Sequence, residues 1–130
     1  MKPYLKEFEK LIGIMNKLRS KSGCQWDKKQ TYQSLIKHFL SETQEVKSAV
    51  MKKDAENLKE ELGDVLLHIV FYAQIAKEKK HFDIAAVIRN LNQKLIRRHP
   101  HIFSGYKVKS VKDIEKMWEE IKAKEKMDIK

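Results

Sequence analysis

SETQEVKSAVMKKDAENLKEELGDVLLHIVFYAQIAK, residues 41–77, decides the fold. Apolar side chains recur at helical spacing on both sides of a short break between Val50 and Asp54. Upstream, from a start near Thr31, the stripe is Leu35, Ile36, Phe39, Leu40, Val46 and Val50. Downstream, behind an N-capping Asp54, it is Leu58, Leu62, Val65, Leu66, Ile69 and Ala73. So short a connection turns the chain back on itself, and the two helices are expected to pack antiparallel.

Each of these helices carries a pair of acids. Glu42 and Glu45 lie three residues apart, as do Glu61 and Asp64. Residues at that spacing share a helix face. The two pairs stand at similar distances from the turn, so antiparallel packing gathers four carboxylates around one small volume. Like charges so crowded need cations among them. Carboxylate oxygens are hard ligands that suit Mg²⁺, with Mn²⁺ as the alternative. Glu42 falls on the apolar stripe among Leu35, Val46 and Ala49, where a carboxylate is costly without a partner. The plainer reading is a set of surface acids pairing with lysines one turn away. A di-iron bundle would need Glu-x-x-His on two helices. Ser48 follows Glu45 by three and Asp64 follows Glu61 by three, so that pattern is missing. His38 and His68 lie four residues from Glu42 and Asp64. They read as hydrogen-bonded histidines sooner than as ligands of a hard cation.

Outward from this pair, three further helices are expected. One covers about residues 3–19, with Pro3 in its first turn and Phe8, Leu11, Ile12, Met15 and Leu18 on one face. Another follows Asp83 with Ile84, Val87, Ile88, Leu91 and Leu95, and stops before Pro100. The last follows Ser110, where Asp113 completes a capping-box pattern, and carries Ile114, Trp118 and Ile121. Residues 20–30 form a polar segment, and residues 123–130 a charged tail expected to fray. No strand-like alternation persists. The expectation is an all-α bundle of about five helices, forming one domain over residues 1–130.

Composition agrees. Four Gly and two Pro in 130 residues leave little turn material, and 42% hydrophobic residues can fill a core. No apolar run is long enough to span a bilayer, and MKPYLKEFEK has no apolar signal core. The single cysteine, Cys24, allows no internal disulfide. These features predict a cytoplasmic protein without membrane partners. The net charge of +10 suits a polyanionic partner, although a lysine-rich surface also serves solubility alone.

Lys94, Arg97 and Arg98 cluster at the end of the fourth helix, with Lys94 one turn from both arginines. Arginine binds phosphate oxygens through paired donors; the plainer role is to complement the helix C-terminus. Trp26, in a polar segment, either stacks on a base or plugs the core. Trp118 and Lys122, one turn apart, offer a stacking surface beside a cation, although periodicity alone puts Trp118 in the core. Cys24 has no histidine near it in sequence and reads as non-catalytic.

In order along the chain stand GCQWDKKQTYQSL, SETQEV, EELGDVLLHIVFYAQIA, FDIAAVIRNLNQKLIRRHPHIF and WEEIKAKEK. This series, covering nearly the whole chain, resembles the MazG family of nucleoside triphosphate pyrophosphohydrolases. The resemblance implies an all-α fold and a homo-oligomer, a dimer or sometimes a tetramer. It also implies Mg²⁺-dependent conversion of an NTP or dNTP to monophosphate and pyrophosphate, in nucleotide-pool housecleaning. The family's metal motif is E-E-x-x-E followed by E-x-x-D. Glu42, Glu45, Glu61 and Asp64 match four of its acids and are the expected catalytic and metal residues. The resemblance also makes Lys94, Arg97 and Arg98 phosphate contacts, and Trp118 with Lys122 nucleotide contacts. Two positions depart from the pattern. Ser41 replaces the first glutamate, and Gln25 replaces the proline of Cys-Pro-Trp-Asp. Serine is no general base near neutral pH without activation. Ser41 therefore supports an alternative, a catalytically weak nucleotide-binding regulatory domain. A nucleic-acid binder is less expected, because the arginines form no separate basic helix face. Base and sugar preference, the number of metals and the pathway are not written in the sequence.

Overall fold

A computed structural model of the chain describes residues 1–128. Its elements, in order, are α1 (Pro3–Leu18), α2 (Gln25–Lys28), α3 (Ile36–Met51), α4 (Ala55–Glu78), α5 (Ile84–Arg98), α6 (Pro100–Phe103) and α7 (Val111–Asp128). The described residues are all-helical, with no strand. The five long helices are the expected ones. α2 and α6 are single turns too short to show a period.

Two boundaries differ from expectation. Regular helix begins at Ile36 instead of near Thr31. Thr31 and Ser34 instead form a reciprocal turn: the Thr31 N–H donates to Ser34 Oγ at 2.8 Å and the Ser34 N–H to Thr31 Oγ1 at 3.1 Å. Short hydroxyl side chains compete with helix in this way. At the other end, α7 persists to Asp128 where fraying was expected after Lys122. Glu125, inside that stretch, is held by ion pairs to Arg97 and Arg98. Residues 129–130 of the predicted tail lie outside the described residues.

The turn between α3 and α4 explains their antiparallel pairing. Lys53 takes a left-handed conformation, φ 56°. The Lys53 N–H donates to the Val50 carbonyl and the Asp54 N–H to the Ala49 carbonyl, closing α3. Asp54 then caps α4, its Oδ1 accepting from the Asn57 N–H at 3.1 Å. Only residues 52–54 connect the helices, so they return side by side, with the fully buried Ala49 near the turn.

The contacts group into two compact units, Met1–Ile84 and Ala85–Lys130. In the first, α3 and α1 both pack on α4. Its core is Met15, Leu35, Val70, Phe71 and Ile75, with Phe8, Leu11, Tyr32 and Tyr72 against it. Between α1 and α2, Gly23 lies so close to the Leu18 carbonyl that any Cβ would clash with it. In the second unit, Met117 of α7 is the buried apolar residue. Ser110 Oγ accepts from the Asp113 N–H at 3.2 Å, as a capping box requires. Asp113 answers to the Lys109 N–H at 3.0 Å instead of to Ser110. Among the described residues, no helix is long and apolar enough to cross a membrane.

Candidate metal centre

The α3–α4 pair brings three of the four predicted acids together. Glu42, Glu61 and Asp64 each offer a carboxylate oxygen, and these oxygens lie within 4.8 Å of one another. All three residues are half-buried. Glu45 is exposed and outside this triad, yet its charge reaches Glu61. Partial burial, and then the like charges of Asp64, Glu45, Glu42 and Glu60, push the Glu61 carboxyl above its usual 4.5. None of the ion pairs among the described residues involves Glu42, Glu61 or Asp64. The surface-acid reading needed lysine partners, and none pairs with these three among the described residues. Hard oxygen donors so close-set and unpaired fit a divalent ion.

Of the two histidines, His68 is hydrogen-bonded as the plainer reading expects, and His38 makes a ring contact. His68 is buried, and its Nδ1 lies 2.9 Å from the backbone carbonyl of Asp64, one turn earlier in α4. Its ring packs against Phe39 of α3 at 5.9 Å. His38 packs edge-on against Trp26, with ring centroids 5.7 Å apart. Trp26 also meets Phe71 at 6.5 Å and remains 47% exposed. Trp26 thus covers the core with one edge while the rest of the ring faces solvent.

The other predicted residues belong to the second unit. Arg97 Nε donates to Glu125 Oε2 at 2.6 Å, and Arg98 Nη2 to Glu125 Oε1 at 2.8 Å. These donors, Arg98 first, hold the Glu125 carboxyl down at about 2. Lys94 is half-buried and, among the described residues, in no ion pair. Trp118 is partly buried, with its ring edge-on to His99 at 5.6 Å. Its buried Nε1 has no hydrogen-bond partner among the described residues. Lys122 stands 3.7 Å from Glu119, a pair open to solvent. Sequence reasoning missed Glu125. A readable signal existed: Glu125 continues the α7 stripe of Ile114, Met117 and Ile121, and an acid on an inner stripe implies a cationic partner.

Comparison with known proteins agrees with the fold and with the family resemblance. The profile of the MazG nucleotide pyrophosphohydrolase domain matches residues 30–103. The nucleoside triphosphate pyrophosphohydrolase/pyrophosphatase MazG of Thermotoga maritima is 52% identical over 122 residues, 92% of this chain and 45% of that protein. The nucleoside triphosphate pyrophosphohydrolase of Escherichia coli K12 is 38% identical over 123 residues, 94% of this chain and 47% of that protein. The chain thus spans about half the length of these curated relatives. The crystal structure of a mazG-related protein from Thermotoga maritima superposes with a TM-score of 0.73 at 34% identity, covering 88% of this chain and 98% of that one.

Proposed function

The chain belongs to the MazG nucleotide pyrophosphohydrolase domain family, and from that premise we propose that it hydrolyses nucleoside triphosphates, NTP or dNTP, to the monophosphate and pyrophosphate. The observation that carries the proposal is the triad of Glu42, Glu61 and Asp64, three close-set carboxylates in no ion pair among the described residues. These residues would hold a divalent ion, with Mg²⁺ as the expected species. The chemistry such an ion supplies when bound is Lewis-acid withdrawal of charge from phosphate oxygens. Glu45, exposed on the same face of α3, is assigned to orient the attacking water and accept its proton. Lys94, Arg97 and Arg98 are assigned to phosphate charge, and Trp26, Trp118 and Lys122 to the nucleoside.

We assign the protein to the cytoplasm and to a homo-oligomer, with a dimer foremost and a tetramer as the alternative. Support for association comes from apolar side chains left exposed on the paired helices: Leu40 and Val50 of α3, Leu62, Leu66 and Ile69 of α4. Nucleotide-pool housecleaning is the proposed setting.

The test is a panel of NTPs and dNTPs with Mg²⁺ in ¹⁸O-labelled water. Pyrophosphate should be released, and the label should appear in the monophosphate. Orthophosphate with a diphosphate would contradict attack at the α-phosphorus. Nucleotide binding without turnover would favour the regulatory reading that Ser41 supports.

A further inference from the structure

Arg19 lies outside both the carboxylate triad and the cationic cluster, yet its side chain is only 8% exposed. Its Nε and Nη2 donate to Glu78 Oε2 and Oε1 at 2.9 and 2.7 Å. Its Nη1 donates to the carbonyls of Asp27 at 2.6 Å and Gln30 at 3.1 Å. The same guanidinium stands 5.6 Å over the Phe71 ring, the ring that Trp26 meets edge-on. Gln30, itself buried, extends the grip: its Nε2 donates to the Trp26 carbonyl at 3.0 Å, and Ser34 Oγ donates to its Oε1 at 2.7 Å. One guanidinium, anchored to the end of α4, therefore fixes the short helix that presents Trp26.

A buried arginine is an expensive way to fill a core, since apolar residues of similar volume serve stability as well or better. What the guanidinium adds is direction, because its planar fork matches a carboxylate and fixed carbonyls at once. The direction concerns the metal site's neighbourhood. Trp26 rests on His38, which lies one helical turn, about 6 Å, before Glu42 on α3. A nucleotide with its phosphates at the carboxylates would have its base on the side of that ring if it extends along α3 toward His38.

We propose that Arg19 is a positioning residue for nucleotide binding: through the Asp27 and Gln30 carbonyls it sets the exposed face of Trp26 on which the base stacks. This rests on the reading of the triad as a nucleoside triphosphate site.

The test is a double-mutant cycle in the full chain, using the best substrate of the nucleotide panel and working well below each variant's melting temperature. Trp26→Ala should raise KM about tenfold, the scale of one lost base–aromatic stack. Arg19→Lys keeps the charge but cannot span the fork, and should raise KM about fivefold with kcat within about twofold. The double variant should match Trp26→Ala alone, because Arg19 acts through that ring. With 5-fluorotryptophan incorporated, Arg19→Lys should move the ¹⁹F resonance of Trp26 and leave that of Trp118 in place.

If Arg19→Lys multiplies KM equally with and without Trp26, or leaves KM alone while Trp26→Ala raises it, the positioning role is wrong and the nucleotide site stands. If Trp26→Ala leaves KM unchanged, the stacking role falls and this inference falls with it. If the unaltered protein hydrolyses no member of the panel, the functional reading itself fails and takes the inference down.

Discussion

Glu61→Gln isolates the electrostatics of the candidate metal centre. Glu61 sits with Glu42 and Asp64 in a triad whose oxygens lie within 4.8 Å, and its raised pKa records partial burial and then the repulsion of Asp64, Glu45, Glu42 and Glu60. The glutamine keeps the side-chain volume, removes one of three charges and halves the carboxylate's ligating capacity. Two effects of opposite sign follow. Without metal, the variant should be more stable than the parent, because a crowded ionised carboxylate is gone. With metal, the parent should gain what the variant cannot. An ion at a hundred times its Kd stabilises a folded site by about 2.7 kcal/mol. At about 4 °C per kcal/mol for a domain of this size, that is a rise in Tm of roughly 10 °C. Thermal melts with chelator and across a Mg²⁺ titration read both effects, and pyrophosphate release reads turnover. The melting curves should cross: variant above parent in chelator, parent above variant in saturating Mg²⁺, with turnover abolished in the variant. A variant that keeps the parent's Mg²⁺-dependent rise, or its full turnover, would refute the placement of Glu61 in the site.

Ser41→Glu adds a carboxylate one turn from Glu45, at the position where the family motif has an acid. It should raise kcat by less than about a hundredfold, below the range of a fully effective general base, and make Tm more Mg²⁺-dependent; no change in either would mean that position 41 does not face the site. Glu125 is depressed from 4.5 to about 2 by Arg98 and Arg97, so its stabilisation is complete above about 4.5 and is lost as pH falls toward 2. Urea midpoints of the parent and Glu125→Gln should therefore differ at pH 7 and converge near pH 2; curves that stay parallel over that window would deny the clamp. Asp54→Ala removes the cap from the Asn57 N–H and should cost about 1 kcal/mol in urea unfolding, with the α3–α4 turn as its only point of action.

The sequence by itself determined the five long helices and brought together the acids of the candidate metal centre. Leu35 to Val50 and Leu58 to Ala73 announce two helices by periodicity. A very short link makes them antiparallel, and i, i+3 spacing puts Glu61 beside Asp64 and both opposite Glu42. Each step is local, set by the 3.6-residue turn and by a connection too short for another route. Tertiary structure alone decided what depends on distant pairing. It kept Glu45 out of the 4.8 Å triad, because Glu42 lies nearer the apolar seam. It joined Arg97 and Arg98 to Glu125 across 28 and 27 residues, within the stretch of α7 that runs on to Asp128 as helix. It tied Arg19 to Glu78 across 59 residues and so fixed the segment bearing Trp26, which the sequence shows only as polar. No residue near Arg19 in the chain signals that partner. Such pairs form only after the helices have packed, and the cost of burying each charge is met by a group that local sequence does not reveal.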